Sequence, residues 1–249
     1  MLLETDLIPV QVSSLPPGPW LVFAPHSDDE TFGMGGTLIL ARERRISVRL
    51  VVLTDGALGG AEDPAVVAAV REAEARTVAD QLGIAALEFW REPDRGLAGA
   101  PALVPKIVAG LQQATPATLF FPSPMEYHPD HRAAAWAVWH AAGQAGFEGN
   151  LWSYEISTEG MVNQLVDITR VVEEKRLLMA AYCSQVALND YPNKILGLNR
   201  ARTYSLPPEV RYAEGFFDFS SQRGCGFGNV IYELLAPYWQ QGLDNQGSG

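Results

Sequence analysis

The chain has 249 residues, of which 47% are hydrophobic and 19% charged, and its formal net charge is −11. That length builds one large α/β domain or two small ones. The acidity excludes the clustered Lys/Arg footprint of a nucleic-acid binder and a basic face for anionic membranes. No apolar run approaches the ~20 residues of a membrane span.

Two cysteines, Cys183 and Cys225, are too few and too far apart for a disulfide framework or a cysteine-type metal knuckle. This fits a reducing cytoplasm. The opening stretch Met1-Leu2-Leu3-Glu4-Thr5-Asp6 lacks a basic region and does not read as a secretory signal.

Residues 1–19 read as a leader ending in the turn Pro16-Pro17-Gly18-Pro19. Residues 20–25 then read as a buried strand, stopped at Pro25 where the ladder donor is lost. A helix is expected from Gly35, over 35–42. A second strand covers 47–54 and leads into the loop Asp55-Gly56-Ala57-Leu58-Gly59-Gly60. An amphipathic helix spans 64–82, with Pro64 suited to its first turn and Gly83 to its stop. Residues 87–90 form a short strand, 103–113 a helix, 117–121 a fourth strand and 130–142 a helix. Further on, 151–156 and 164–168 read as strands and 171–184 as a helix. Beyond Asn189 the pattern is irregular, with Pro192, Pro207 and Pro208. Residues 243–249 read as a frayed tail. With no repeat and no linker, residues 1–249 read as a single domain.

Strands alternating with helices imply βαβ units and an open, mostly parallel α/β sheet with helices on both faces. Two acidic motifs stand at strand carboxyl ends, the edge where such sheets bind ligands. The first is His26-Ser27-Asp28-Asp29-Glu30, and the second is His128-Pro129-Asp130-His131. They hold three of the four histidines.

Imidazole nitrogen and carboxylate oxygen are the donors of a catalytic zinc-type centre, which uses three protein ligands and leaves a position for water. Such a centre also needs a base that is not itself a ligand. Adjacent carboxylates divide these roles, because neighbouring side chains on extended backbone point apart. His26 and Asp29 are therefore assigned as ligands and Asp28 as the base. The alternative is that Asp28 or Asp29 caps the next helix. In the second motif one histidine completes the ligand set. The other is free to serve the substrate carbonyl as a proton donor or oxyanion partner. The alternative there is a pair of solvated histidines beside a capping Asp130. His140, among Trp136, Val138 and Trp139, reads as structural.

These two motifs resemble the His-Pro-Asp-Asp-Glu and His-Pro-Asp-His signatures of the PIG-L/LmbE-like deacetylases. Weaker similarities run along most of the chain: Gly33-Met34-Gly35-Gly36-Thr37, Thr54-Asp55-Gly56, Arg71-Glu72-Ala73-Glu74 with Leu82-Gly83, Pro93-Asp94, Lys175 with Tyr182-Cys183-Ser184-Gln185, and Tyr212-Ala213-Glu214-Gly215-Phe216. The resemblance implies a Rossmann-like three-layer fold and a zinc-dependent enzyme, with iron(II) or another divalent metal as an alternative. It implies removal of acetyl from an N-acetylglucosamine-type sugar or its conjugate. His26, Asp29 and His131 would be metal ligands, Asp28 the general base and His128 the group stabilising the tetrahedral intermediate. Arg71 and Asp94 match positions that contact sugar hydroxyls. Ser27 departs from the signature, where proline is usual, and removes no ligand. Tyr127 stands one residue later than a mobile tyrosine of some relatives and carries no assigned role.

Other readings are an amidase of the same superfamily cutting a different amide, and a non-catalytic sugar-binding relative. Gly33-x-Gly35 with Asp55 faintly suggests a dinucleotide site, but the third glycine is misplaced and the Asp-Asp-Glu cluster would repel a pyrophosphate. The expected partner is a small amino-sugar substrate, neutral or cationic given the acidic surface. Trp90, Tyr127 and Trp152 either stack on a sugar or fill the core. The sequence is compatible with a homo-oligomer and does not fix one.

Overall fold

The computed structural model describes residues 11–222. Residues 1–10, Cys225 and the 243–249 tail lie outside the described residues. Five parallel strands come first: β1 (Trp20–Ala24), β2 (Val48–Thr54), β3 (Ala86–Glu92), β4 (Thr118–Pro122) and β5 (Asn150–Tyr154). β6 (Gln164–Asp167) and β7 (Ala213–Asp218) complete a seven-stranded sheet in the order β3-β2-β1-β4-β5-β7-β6. β7 runs antiparallel between β5 and β6.

The helices are α1 (Asp29–Glu43), α2 (Pro64–Leu82), α3 (Leu103–Ala114), α4 (Pro129–Gln144), α5 (Val172–Ala180), α6 (Cys183–Val186) and α7 (Tyr191–Ala201). Side chains alternate across the strands. On β1, Trp20, Val22 and Ala24 face one core, shared with α1, α2 and α5. Leu21 and Phe23 face the other, shared with α3 and α4. The sheet is thus covered by helices on both faces, which is the three-layer expectation. No helix among the described residues is long and apolar enough to cross a membrane.

From β1 the chain runs outward to β2 and β3 on one side and to β4 and β5 on the other. The crevice between the carboxyl ends of β1 and β4 is thus a topological switch point. The first motif follows β1 and the second follows β4, so the fold itself brings them together.

Three expectations need correction. α1 includes the expected helix from Gly35 but is extended by a preceding turn from Asp29, joined to it across a kink at Met34. Its glycines obscured the start by their low helix propensity, and close packing requires them. A Cβ on Gly33 would lie 2.5 Å from Tyr154 Cδ2 and 2.6 Å from the Glu155 carbonyl; one on Gly36 would lie 2.6 Å from Ile168 Cγ2. Gly33 and Gly35 therefore sit inside a helix and form no phosphate loop. The helix expected over 171–184 breaks after Ala180, and Tyr182 at the break reaches back to Glu30. Beyond Asn189 the described residues hold a helix, α7, and a strand, β7. Pro192 lies in the first turn of α7, where a missing N–H costs nothing. β7 was obscured because Glu214, a charge within the strand, is fully buried. The leader also contributes: Val12 pairs with Leu165 on the β6 edge.

Glu214 is buried because α1 is kinked at Met34. The kink leaves the amides of Gly36 and Thr37 to donate to its two carboxylate oxygens, at 2.8 and 2.7 Å. Lys175 Nζ, equally buried, donates to the same carboxylate at 2.7 Å and to Asn199 Oδ1 at 2.9 Å. Breaking a buried pair strands a charge and costs about 3–5 kcal/mol, whereas replacing both partners is close to neutral. Glu214→Gln is expected to lose that much in chemical denaturation, and Lys175→Met added to it is expected to recover most of the loss. A single-variant loss near zero would remove this pair from the account of the kink.

Candidate metal centre

The His26–Asp29 turn folds on itself at the end of β1. The backbone N–H of His26 donates to Asp29 Oδ2 at 2.8 Å. The same oxygen lies 3.1 Å from His26 Nδ1. From the start of α4, His131 Nε2 comes within 3.3 Å of Asp29 Oδ2 and 3.3 Å of His26 Nδ1. Three donor atoms therefore make a nearly equilateral triangle. Ligands about 2.0–2.1 Å from a tetrahedral ion stand about 3.3–3.4 Å apart, so the triangle has the dimensions a metal requires.

The far sides of both rings are held too. His26 Nε2 faces Asp94 Oδ1 at 3.4 Å and Asp130 Oδ2 at 3.5 Å. His131 Nδ1 faces Glu126 Oε2 at 3.6 Å. Carboxylates in those places fix the tautomer and raise the basicity of ligating imidazoles. Burial opposes a charged His131, but Asp29 more than offsets it and raises its pKa to about 9.

Asp28 precedes α1 but makes no capping bond with its side chain, which excludes the cap alternative for it. Its Oδ1 accepts from Arg71 Nη2 at 3.2 Å. Burial pushes the Asp28 carboxyl up, against the pull of Arg71. Arg71 comes from the middle of α2 and is buried, so it is no surface ion pair. Its Nη1 donates to the Gly56 carbonyl at 3.0 Å. Gly56 has φ +59°, and a Cβ at Gly59 would stand 2.3 Å from Arg71 Nη1. The loop glycines make room for the guanidinium.

His128, not Asp130, caps α4: its Nδ1 accepts from the Asp130 amide at 3.2 Å. An amide can only donate, so a neutral His128 carries its proton on Nε2. Burial, aided by His26 and His131, lowers the His128 pKa and keeps it neutral. Asp130 instead reaches sideways, accepting from the amides of Arg95 and Leu97 at 2.6 and 3.1 Å. Asp94 accepts from the Leu58 amide at 2.9 Å.

His26, Asp28, Asp29, Arg71, Asp94, His128 and His131 all line one cavity of about 300 Å³. The same lining includes the apolar side chains Phe32, Leu58, Ile156, Tyr191 and Ile195. Trp152 is in the core beneath α1, Trp90 packs against the core on the other face of the sheet, and Tyr127 is 80% exposed. His140 stacks on Trp136, away from the cavity. The sequence reading missed Glu126, a lone glutamate in a loop that no spacing rule singles out. It also assigned no role to Glu30, whose buried Oε1 accepts from Thr31 and Tyr182, both at 2.8 Å.

A family model described as "PIG-L: GlcNAc-PI de-N-acetylase" matches residues 21–142, the segment that carries both motifs. The chain belongs to the PIG-L family. It is 28% identical to the diacetylchitobiose deacetylase of Thermococcus kodakarensis, over 85% of this chain and 87% of that protein. The crystal structure of a conserved protein from Thermus thermophilus is 30% identical and superposes with a TM-score of 0.69, covering 81% of this chain and 94% of the other. The N,N'-diacetylchitobiose deacetylase of Pyrococcus horikoshii, solved with an inhibitor, shares the fold with a TM-score of 0.72 at 23% identity, over 85% and 88% of the two chains.

Calorimetric titration with a divalent transition-metal ion is expected to show one site per chain. Asp29→Asn should weaken binding by more than the ~100-fold that loss of an outer partner costs. Unchanged affinity in that variant would place the ion elsewhere.

Proposed function

We propose that this PIG-L family member is a metal-dependent hydrolase that removes the N-acetyl group from an N-acetylglucosamine-type sugar or its conjugate, giving acetate and a free amino sugar. One observation carries the reading. The donor triangle of His26, Asp29 and His131 stands on a cavity floor beside a carboxylate, Asp28, and a neutral imidazole, His128. The name of the Thermococcus relative, an enzyme deacetylating an amino sugar, supports it.

His26, Asp29 and His131 would hold the ion. Zinc suits a three-ligand N/O set, and iron(II), cobalt or nickel take the same donors. A divalent ion there supplies Lewis acidity toward a carbonyl and lowers the pKa of water toward ~7. Asp28 takes the proton of the attacking water, held in place by Arg71. The Nε2–H of His128 donates to the oxyanion as the carbonyl becomes tetrahedral. The C–N bond then breaks, and Asp28 passes its proton to the departing amine. A neutral His128 would have to become an anion to do so. Arg71 and Asp94 line the same cavity and meet the sugar hydroxyls. The small number of cysteines supports a reducing cytoplasm as the place of action.

A second reading, an amidase acting on a bulkier conjugate, is favoured by the apolar lining of Phe32, Ile156, Tyr191 and Ile195. A substrate panel separates the two. Metal-loaded protein is expected to release acetate from N-acetylglucosamine, its glycosides or diacetylchitobiose, and to stop on chelation. Asp28→Asn should lower kcat by about 10²–10⁴ with metal binding retained. His128→Ala should lower it by about 10²–10³. Metal-loaded protein that cleaves only larger amides would favour the second reading, and full activity in Asp28→Asn would overturn both.

A further inference from the structure

Glu126 belongs to neither motif and takes no part in the chemistry above, yet it is among the most completely held side chains of the molecule. It lies in the loop between β4 and α4 and is 1% exposed. Three successive amides converge on its Oε1: those of Ile156, Ser157 and Thr158, at 2.8, 3.1 and 3.2 Å. The Ser157 hydroxyl donates to Oε2 at 2.7 Å, and the Ser157 amide also reaches it at 3.2 Å. A cradle of consecutive amides stabilises an anion, so the carboxylate is pinned in place as well as buried.

The free side of Oε2 faces His131. Nδ1 of that ring is 3.6 Å away, is buried, and has no closer partner. A neutral imidazole binds a metal through the nitrogen that lacks the proton, so Nε2 can face the ion only when Nδ1 carries the hydrogen. A buried N–H needs an acceptor. Glu126 Oε2 is the acceptor in reach.

We propose that Glu126 is a positioning residue for the metal. Its carboxylate accepts the Nδ1–H of His131 and so fixes the tautomer and ring orientation in which Nε2 faces the ion. The proposal rests on the metal-centre reading of the cavity. It adds that the same carboxylate ties the ligand His131 to the 156–158 segment, of which Ile156 and Ser157 also line the cavity. One buried anion therefore sets the position of a ligand and of a second stretch of the cavity lining.

The test is zinc affinity, measured by competition with a chromophoric chelator. Glu126→Gln keeps the size and loses the charge, and it is expected to weaken zinc binding by about 10–100-fold. Ser157→Ala removes a contact of Glu126 with that segment but leaves the His131 contact, and its affinity should match wild type. If Glu126 only anchored the segment, the two variants would lose thermal stability together and neither would change zinc affinity; that outcome overturns the proposal. Nitrogen-15 NMR of zinc-loaded wild type needs no variant. It should show His131 protonated at Nδ1 with a slowly exchanging proton, and an unprotonated Nδ1 would equally overturn the proposal. Wild type that binds no zinc would instead sink the metal reading itself.

Discussion

The shared oxygen Asp29 Oδ2 is the point on which the rest of the site depends. It takes the His26 amide, faces the rings of both His26 and His131, and closes the turn that ends β1. A carboxylate so buried survives as an anion only when positive partners surround it. Here both imidazoles and the neighbouring amide do so, and Asp29 is held well below the usual carboxylate range despite its burial. Everything else in the cavity is arranged around that concentration of charge.

The surrounding carboxylates are divided by what they touch. Asp94 and Asp130 hold the back of His26, and Glu126 stands behind His131. Asp28 is drawn aside by Arg71, which leaves it beside the triangle rather than in it. Two adjacent aspartates thus have different surroundings and are suited to different work, as a metal-assisted hydrolysis requires. The scaffold is equally particular. α1 must approach β5 and the β6–α5 connection closely, so it carries glycines and a kink, and the amides freed by the kink are met by Glu214 with Lys175 behind it.

The parallel half of the fold was legible in the sequence, because residues 20–25, 47–54 and 117–121 are short apolar runs ended by turns. The seven expected site residues were legible through two motifs and a family resemblance, and all of them line one cavity. What was hidden is instructive. β7 was not expected, because a charge such as Glu214 in an apolar run ordinarily faces water, and only the kink in α1 explains its burial. Pro192 looked like irregular chain, though a proline in a first turn is compatible with a helix. The resembling fragments around Lys175 and Glu214, or around Glu74 and Ser184, could be matched but not paired. Their meaning lies in contacts across 39 and 110 positions of chain. Glu126 had no signature of any kind, since its role depends on three amides some thirty residues away.

Fold membership alone does not assign a reaction, since one architecture supports many. The central claim is therefore the position of the ion. The most direct measurement is a crystal structure of zinc-loaded protein with anomalous data at the zinc edge. The account predicts one strong peak about 2.0–2.2 Å from His26 Nδ1, Asp29 Oδ2 and His131 Nε2, with Asp28 and His128 beside it but not ligating. A peak at other residues, or none at full zinc loading, would contradict it.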